Sequence, residues 1–347
     1  MNRFELLHLG WDESWEEKIK NLDIGSLVGR INRVERGECD ILTADGQIRA
    51  QSDSQRSQDD IAPVTGDWVI IAKTGDEWAI ETILPRRTEL VRKDPGERET
   101  QQPLSANVDF VFLVHGFDRP FRAGKLERFL VLAWNADATP VVVLTKEDLA
   151  TEGERDELVG LIEAVAPGVE VIVSSVVSGT GIDRIAELLQ PHLSGTMLGE
   201  SGAGKSSLVN ALLGVETQDT AEVRRSDAKG RHTTITRDLL VLDSGGVLID
   251  TPGIRAVGLW DARDALEKVF SDVTGAAEDC KFGDCAHDGE PQCAVKRAVE
   301  AGEIDVRRLE RFRIMTEELE ESEQRLVERS RSNNERSRSS KRSRRKR

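Results

Sequence analysis

At about 100–200 residues per domain, the 347 residues suffice for two or three domains that each bury a core. No apolar run nears the roughly 18 residues that span a membrane, and four cysteines are too few for a disulfide scaffold. The start MNRFELLHLGWDESWEEK carries acids and no basic-then-apolar export signal, so membrane-spanning, secreted and fibrous classes are excluded and a cytoplasmic protein with reduced thiols is expected.

In chain order, residues 1–22 read as an amphipathic helical extension, with Phe4, Leu6, Leu7, Trp11 and Trp15 among acids. Within residues 23–103 the period changes to short strand-like runs: Leu27–Ile31, Cys39–Leu42, Gln47–Ala50, Trp68–Ile71 and Trp78–Ile80. Asp45-Gly46 and Thr74-Gly75-Asp76 are hairpin turns between them. Five such strands predict a small closed β-barrel of the OB-fold type, with the lone Cys39 in its core. Residues 85–103, with three prolines and many charges, read as a linker or mobile loop.

Residues 104–258 alternate strand and helix, which predicts an α/β domain with a mostly parallel sheet covered on both faces. Residues 259–325 are helical around a Cys-rich loop. A basic tail, residues 326–347, is expected to be disordered. Residues 329–347 alone hold 8 Arg, 2 Lys and 1 Glu, a net of +9. The whole chain carries −15, so −24 falls on the remainder. Such a body repels nucleic acid on average, and any polyanion must be held through local patches.

The segment Gly199-Glu200-Ser201-Gly202-Ala203-Gly204-Lys205-Ser206 follows a strand, opens a helix and matches Gly-x4-Gly-Lys-Ser, with Ser207 next to it. Its glycines let backbone N–H groups wrap a phosphate at a helix N-terminus. Lys205 is placed to reach the β- and γ-phosphates, and Ser206 to put a hydroxyl on Mg²⁺. Asp250-Thr251-Pro252-Gly253 follows another strand, where a carboxylate holds Mg²⁺ and Gly253 offers its N–H to the γ-phosphate. Between them lies Lys229-Gly230-Arg231-His232-Thr233-Thr234; one of the two threonines closes on Mg²⁺ when the γ-phosphate is present.

Thr145-Lys146-Glu147-Asp148 follows the strand Val141–Leu144, and Ser174-Ser175 ends the next strand. A carboxylate at 148 can accept both N1–H and N2–H of guanine, which adenine cannot match, and a backbone N–H from Ser174-Ser175 can meet guanine O6. The nucleotide expected is therefore GTP, with GDP as product. An ordinary GTPase carries its phosphate loop first and its base motif last. Here the order is 145, 174, 199, 233, 250: a circular permutation.

Cys280-x4-Cys285-x-His287-x5-Cys293 offers three thiolates and one imidazole, a closed tetrahedral set for one structural Zn²⁺. Ile254 stands after Asp-Thr-Pro-Gly, where many GTPases carry a water-orienting Gln. Either His232 or a group supplied by a partner positions the water, and a solvated loop histidine is the alternative.

A barrel, a permuted GTPase and a Cys-Cys-His-Cys site, in that order, resemble the RsgA (YjeQ) family of small-ribosomal-subunit-dependent GTPases. The resemblance rests on GESGAGKSSLVNAL, GRHTTITRDL with DTPG, and the zinc spacing, and covers roughly residues 24–310. It implies GTP hydrolysis stimulated by the small subunit late in its maturation, with contacts to ribosomal RNA, by a protein expected to be monomeric. Thr145 stands where the family carries Asn, the barrel offers only Trp68 and Trp78 for stacking, and the Arg/Ser tail has no family counterpart. Two other classes fit parts of the pattern: a metal-delivery GTPase, which needs an exchangeable Cys pair, and a zinc-dependent RNA-binding module with structural GTP.

Overall fold

The computed structural model describes residues 6–19, 26–52, 61–93, 101–214, 238–243, 245–250 and 258–344. Strands β1 (Leu27–Glu35), β2 (Glu38–Thr43), β3 (Gly46–Gln51), β4 (Trp68–Thr74) and β5 (Glu77–Ile83) close into a barrel in the order β1-β2-β3-β5-β4. Closure comes from two long-range pairings, β1 with β4 antiparallel and β3 with β5 parallel. Alternate residues, including Ile31, Ile41, Val69, Ile71 and Cys39, fill the interior. Burial pushes the Cys39 thiol up to about 11, which keeps it protonated and inert.

Among the described residues, the single helix expected over residues 1–22 is broken: Leu6 and Leu7 are helical, a turn follows at 8–10, and then come α1 (Glu13–Glu16) and a 3₁₀ turn, Glu17–Ile19. Gly10 takes φ +94, and Asp12 caps α1 by accepting from the Ser14 N–H, so the chain bends sharply between the two turns. The bend packs Trp11 edge-on against Trp68 at 4.7 Å between ring centroids, with Trp15 stacked beyond. Trp68 is fully buried by this cluster, so its ring has no free face for a nucleic-acid base.

The expected linker also needs correcting. It contains β6 (Glu89–Lys93), paired antiparallel with β7 (Gln101–Ala106). Leu90 and Leu104 sink into the main core from this ribbon, a pairing that the charge count concealed. Pro103 lies beside a register shift, where a missing N–H is tolerated.

Strands β8 (Phe110–Gly116), β9 (Thr139–Thr145), β10 (Glu170–Val173), β11 (Ser194–Gly199), β12 (Leu239–Val241) and β13 (Val247–Ile249) form one sheet in the order β10-β9-β8-β11-β13-β12. All neighbours are parallel except β12 with β13. Val111 and Leu113 pack on one face under α2 (Ala123–Asn135), beyond which runs α3 (Glu152–Val165). Phe112 and Val114 pack on the other face with α4 (Ile182–Leu188) and α5 (Lys205–Leu212). The period-2 alternation of the buried strands thus builds two cores.

Helices α6 (Arg263–Val269), α7 (Ser271–Ala277), α8 (Ala294–Glu300) and α9 (Val306–Arg344) complete the chain. Leu266, Phe270, Val273 and Met315 share one continuous core with Val111 and Leu130 of the sheet domain. The fully buried Glu127 of α2 accepts from Arg308 Nη1 at 3.1 Å and Arg311 Nη2 at 2.9 Å, tying α9 to α2. The disordered tail expected over 326–347 is corrected as well, because the backbone of α9 stays helical to Arg344. Residues 306–344 contain no Gly or Pro, so nothing local stops a helix that packing has started.

The barrel is joined to the sheet through Arg30, which is fully buried. It donates to Gly66 O at 3.1 Å, Asn107 O at 2.7 Å, Ser194 Oγ at 2.7 Å and Leu9 O. Burial pulls its pKa down to about 10, so the guanidinium stays charged at neutral pH.

Candidate functional site

The site loops all leave the carboxyl ends of parallel strands, where open α/β sheets form their binding crevice. Register sets Gly116 beside Thr145, Val173 beside Leu144 and Gly199 beside Val114. From Gly199 the chain wraps into α5 through Gly202 at φ +76 and Gly204 at φ +96, a conformation that favours glycine. A Cβ on Gly199 would lie 2.5 Å from Val114 O, and one on Gly204 would lie 2.9 Å from Thr145 Oγ1. Close packing against β8 and β9 thus requires both glycines.

Lys205 is buried, and its Nζ donates to Gly199 O and Glu200 O, each at 2.7 Å. Ala203 is buried, Ser206 half-buried, and Ser201 and Ser207 exposed on the same turn. Glu200 pairs with Lys125, whose hydrogen bond holds the carboxyl below its usual range.

Thr145 Oγ1 donates to Ala203 O at 2.6 Å, and Lys146 Nζ to Gly202 O at 2.9 Å, so the base motif grips the phosphate loop directly. Lys146 adopts φ +62 and also donates to Asp118 Oδ2 at 2.6 Å. Asp148 accepts from Ser175 Oγ, and Glu147 from Arg155. Ser174 and Ser175 are fully buried, and the Glu147 N–H donates to Ser174 O at 3.1 Å. Residues 145–148 and 174–175 therefore form one unit with the phosphate loop.

Two residues that the sequence reading passed over join this unit. Arg119 donates to Ser201 O at 3.1 Å and Gly202 O at 2.7 Å, so its guanidinium is tied to two carbonyls of the phosphate loop. Asp118 bridges Arg119 and Lys146; the hydrogen bond from Lys146 does most to hold its carboxyl down at about 2. The available signal was position, since Asp118-Arg119-Pro120 follows the strand next to the phosphate-loop strand.

Asp250 directly follows β13, and its N–H donates to Asp238 O at 3.0 Å. His232, Thr233, Thr234 and Gly253 lie outside the described residues. Where the chain resumes, Gly258 O accepts from the Lys93 N–H at 3.1 Å, and the Leu259 N–H donates to Glu318 Oε1 at 3.1 Å.

Cys280, Cys285, His287 and Cys293 place their ligand atoms within 4.8 Å of one another. Zn–S bonds of about 2.3 Å and Zn–N bonds of about 2.0–2.1 Å, set tetrahedrally, require S···S edges near 3.8 Å and S···N edges near 3.6 Å, to within roughly 0.1 Å. The three edges among Cys280, His287 and Cys293 are 3.9 Å for Cys280 to Cys293, 3.7 Å for Cys280 to His287 Nδ1 and 3.5 Å for Cys293 to His287 Nδ1, and Cys285 Sγ lies within 4.8 Å of each. The donor set fits Zn²⁺. Burial raises the Cys280 pKa, but backbone N–H groups of Val295 and Ala294 outweigh it and draw the thiol below its usual value.

The RsgA GTPase family model matches residues 83–260. The chain belongs to the RsgA GTPase family. It is a GTP hydrolase of permuted topology. The small ribosomal subunit biogenesis GTPases RsgA of Streptomyces avermitilis and Methanosarcina acetivorans are 45% and 39% identical, over 90% and 89% of this chain and 85% and 84% of theirs. The crystal structure of YjeQ from Thermotoga maritima has a TM-score of 0.63 at 29% identity, covering 85% of this chain and 98% of that one. YloQ, a circularly permuted GTPase, has a TM-score of 0.60 at 28% identity over 86% of this chain and 96% of that one. In this chain the base-motif strand β9 precedes the phosphate-loop strand β11 in sequence yet lies in the same sheet. Among the described residues, no helix is long and apolar enough to cross a membrane.

Proposed function

We propose that this RsgA-family member hydrolyses GTP in the late maturation of the small ribosomal subunit, with turnover stimulated by the subunit. The observation that carries the reading is the alignment, along nine-tenths of the chain, of relatives named small ribosomal subunit biogenesis GTPase RsgA. In this reading Asp148, steadied by Ser175, pairs with guanine N1–H and N2–H, and the stem of Lys146 packs along the base. Backbone N–H groups from Gly199 to Ser207 cradle the phosphates, and Lys205 leaves its carbonyl partners to meet the developing charge.

Bound Mg²⁺ supplies positive charge to the β- and γ-phosphate oxygens; Ser206 and Asp250 are the described residues that would hold it. Thr233 or Thr234, together with the Gly253 N–H, senses the γ-phosphate, and His232 or a group from the subunit orients the water. One Zn²⁺ per chain, on Cys280, Cys285, His287 and Cys293, fixes the loop between α7 and α8 and takes no part in hydrolysis. The filled ligand set argues against metal delivery. The protein acts as a monomer in the cytoplasm and contacts ribosomal RNA of the subunit.

Single-turnover GTP hydrolysis with small subunits, large subunits and no subunits tests the reading. Acceleration by small subunits alone is expected. Equal rates in all three arms overturn it, and equal competition by ATP against a fluorescent guanine nucleotide overturns the base assignment.

A further inference from the structure

Lys205 has to leave Gly199 O and Glu200 O when it meets the phosphates, so other groups must keep the phosphate loop in shape. In a trans peptide the C=O of one residue and the N–H of the next point in opposite directions, and no peptide bond among the described residues is cis. A donor that holds a loop carbonyl from one side therefore aims the next N–H to the other. Arg119 holds Ser201 O at 3.1 Å and Gly202 O at 2.7 Å, which orients the N–H groups of Gly202 and Ala203. Lys146 shares Gly202 O at 2.9 Å, and Thr145 holds Ala203 O at 2.6 Å, which orients the Gly204 N–H. The Ala203 N–H meets Glu200 O at 3.2 Å, a carbonyl that Lys205 Nζ also holds, so it points to the side that Lys205 occupies and away from Arg119.

Arg119 is itself held in place. Asp118 accepts from Arg119 Nε on Oδ1 at 3.3 Å and from Lys146 Nζ on Oδ2 at 2.6 Å, so the loop's arginine and the base motif's lysine meet on one carboxylate. Strand register builds the turn that presents it: Gly116 of β8 pairs with Thr145 of β9, and the Phe117 N–H donates to Thr145 O at 3.0 Å. A Cβ on Gly116 would run into Asp118 Oδ1, so glycine there leaves room for the carboxylate to fold back. A Cβ on Gly202 would stand 3.3 Å from Arg119 Nη2, so the guanidinium lies close against the loop. A planar fork can span two carbonyls at once, which a single ammonium cannot do with the same geometry.

We propose that Arg119 and Asp118 are positioning residues for nucleotide binding. Arg119 keeps the Gly202 and Ala203 N–H groups aimed at the phosphates, and Asp118 holds Arg119 and Lys146 in one frame, so that the base and phosphate halves of the site are set together. The frame exists before nucleotide arrives, which raises the fraction of chains ready to bind. Arg119 stays on its carbonyls and touches no phosphate, so it aids GDP and GTP alike and acts on binding, not on the chemical step. The inference rests on reading residues 199–207 as the phosphate cradle.

The test uses the full chain without subunits and measures Kd for GDP, displacement of fluorescent GDP by guanosine, and single-turnover kcat and KM for GTP. Variants are Arg119→Met, Arg119→Lys and Asp118→Asn, with Lys205→Ala as control. Arg119→Met is expected to weaken GDP and raise KM for GTP by the same factor, about three- to tenfold, with the loss in KM and not in kcat. Guanosine, which has no phosphate, should bind within about twofold of its wild-type affinity. Arg119→Lys keeps a charged donor for one carbonyl and should fall between Arg119→Met and wild type. Asp118→Asn should weaken GDP by about two- to fivefold. GDP affinity within twofold of wild type in Arg119→Met, an equal loss for guanosine, or a Lys variant no better than Met overturns the inference. So does a tenfold loss of kcat with GDP affinity intact, which would put the guanidinium on the reacting phosphate. If Arg119→Met does not fold, Asp118→Asn decides by the same criteria. If Lys205→Ala changes neither GDP affinity nor hydrolysis, the cradle reading fails instead, a result separable from failure of the Arg119 frame.

Discussion

Thr145 offers the sharpest test of how the nucleotide site is held. Its hydroxyl, on a residue only 3% exposed, donates to Ala203 O at 2.6 Å and is the shortest direct link between the base strand and the phosphate loop. In Thr145→Val a methyl takes the place of that oxygen. A carbon cannot sit 2.6 Å from a carbonyl oxygen, since ordinary C···O contacts are about 3.3–3.6 Å, so the loop must withdraw by several tenths of an ångström. The loss of a buried hydrogen bond with its acceptor left unpaired costs about 1–3 kcal/mol. Because the loop must be in its cradling form to bind, apparent Kd rises as the competent fraction falls. Taking about 1–2 kcal/mol for a loop also braced by Lys146 and Arg119, GDP should bind about 5- to 30-fold more weakly. Thr145→Ser keeps the donor and should stay within about twofold. Fluorescent GDP titration measures both; a Val variant within twofold of wild type would refute the claim that this hydroxyl holds the loop.

Glu127→Ala leaves Arg308 and Arg311 without their shared buried carboxylate, which should cost about 3–5 kcal/mol and lower the first calorimetric transition by about 6–20 °C; a shift under about 2 °C would show that the clamp is not what joins α9 to α2. Asp148→Asn should weaken GTP and favour xanthosine triphosphate, whose O2 acceptor suits an amide donor, and unchanged preference in a competition assay would remove Asp148 from base recognition. Metal analysis should give one Zn²⁺ per chain, and Cys285→Ser should unfold the loop between α7 and α8 while GDP still binds; full retention of that fold in zinc-free protein would count against a structural metal. Truncation after Glu328 removes a net of +9 and should weaken subunit binding and flatten its salt dependence, with intrinsic hydrolysis unaltered; an identical salt slope would make the tail bystander charge.

Much of the site was readable because its chemistry is local. The phosphate loop occupies eight consecutive residues, the base motif four and the metal ligands fourteen, so residue type and spacing alone carry the backbone geometry that each function needs. The strand periods that place Thr145 and Gly199 at strand ends are local too, as are the Asp-Gly and Thr-Gly-Asp turns of the barrel. The ribbon β6–β7 is hidden in sequence because Leu90-Val91 sits between charged residues and Leu104 after a proline, too short an apolar signal for a strand without the core beneath them. The N-terminal extension bends at Gly10 because three tryptophans have to meet, one of them contributed from β4. In sequence Arg30, Arg33, Arg119 and Glu127 look like any surface charge. What sets them apart is a partner far along the chain: Ser194, Asp238, Ser201 and Arg308 respectively. A charge leaves water only when a distant element covers it and supplies its hydrogen bonds. The motif chemistry was therefore settled within a few residues of sequence, and the joints between modules only by tertiary packing.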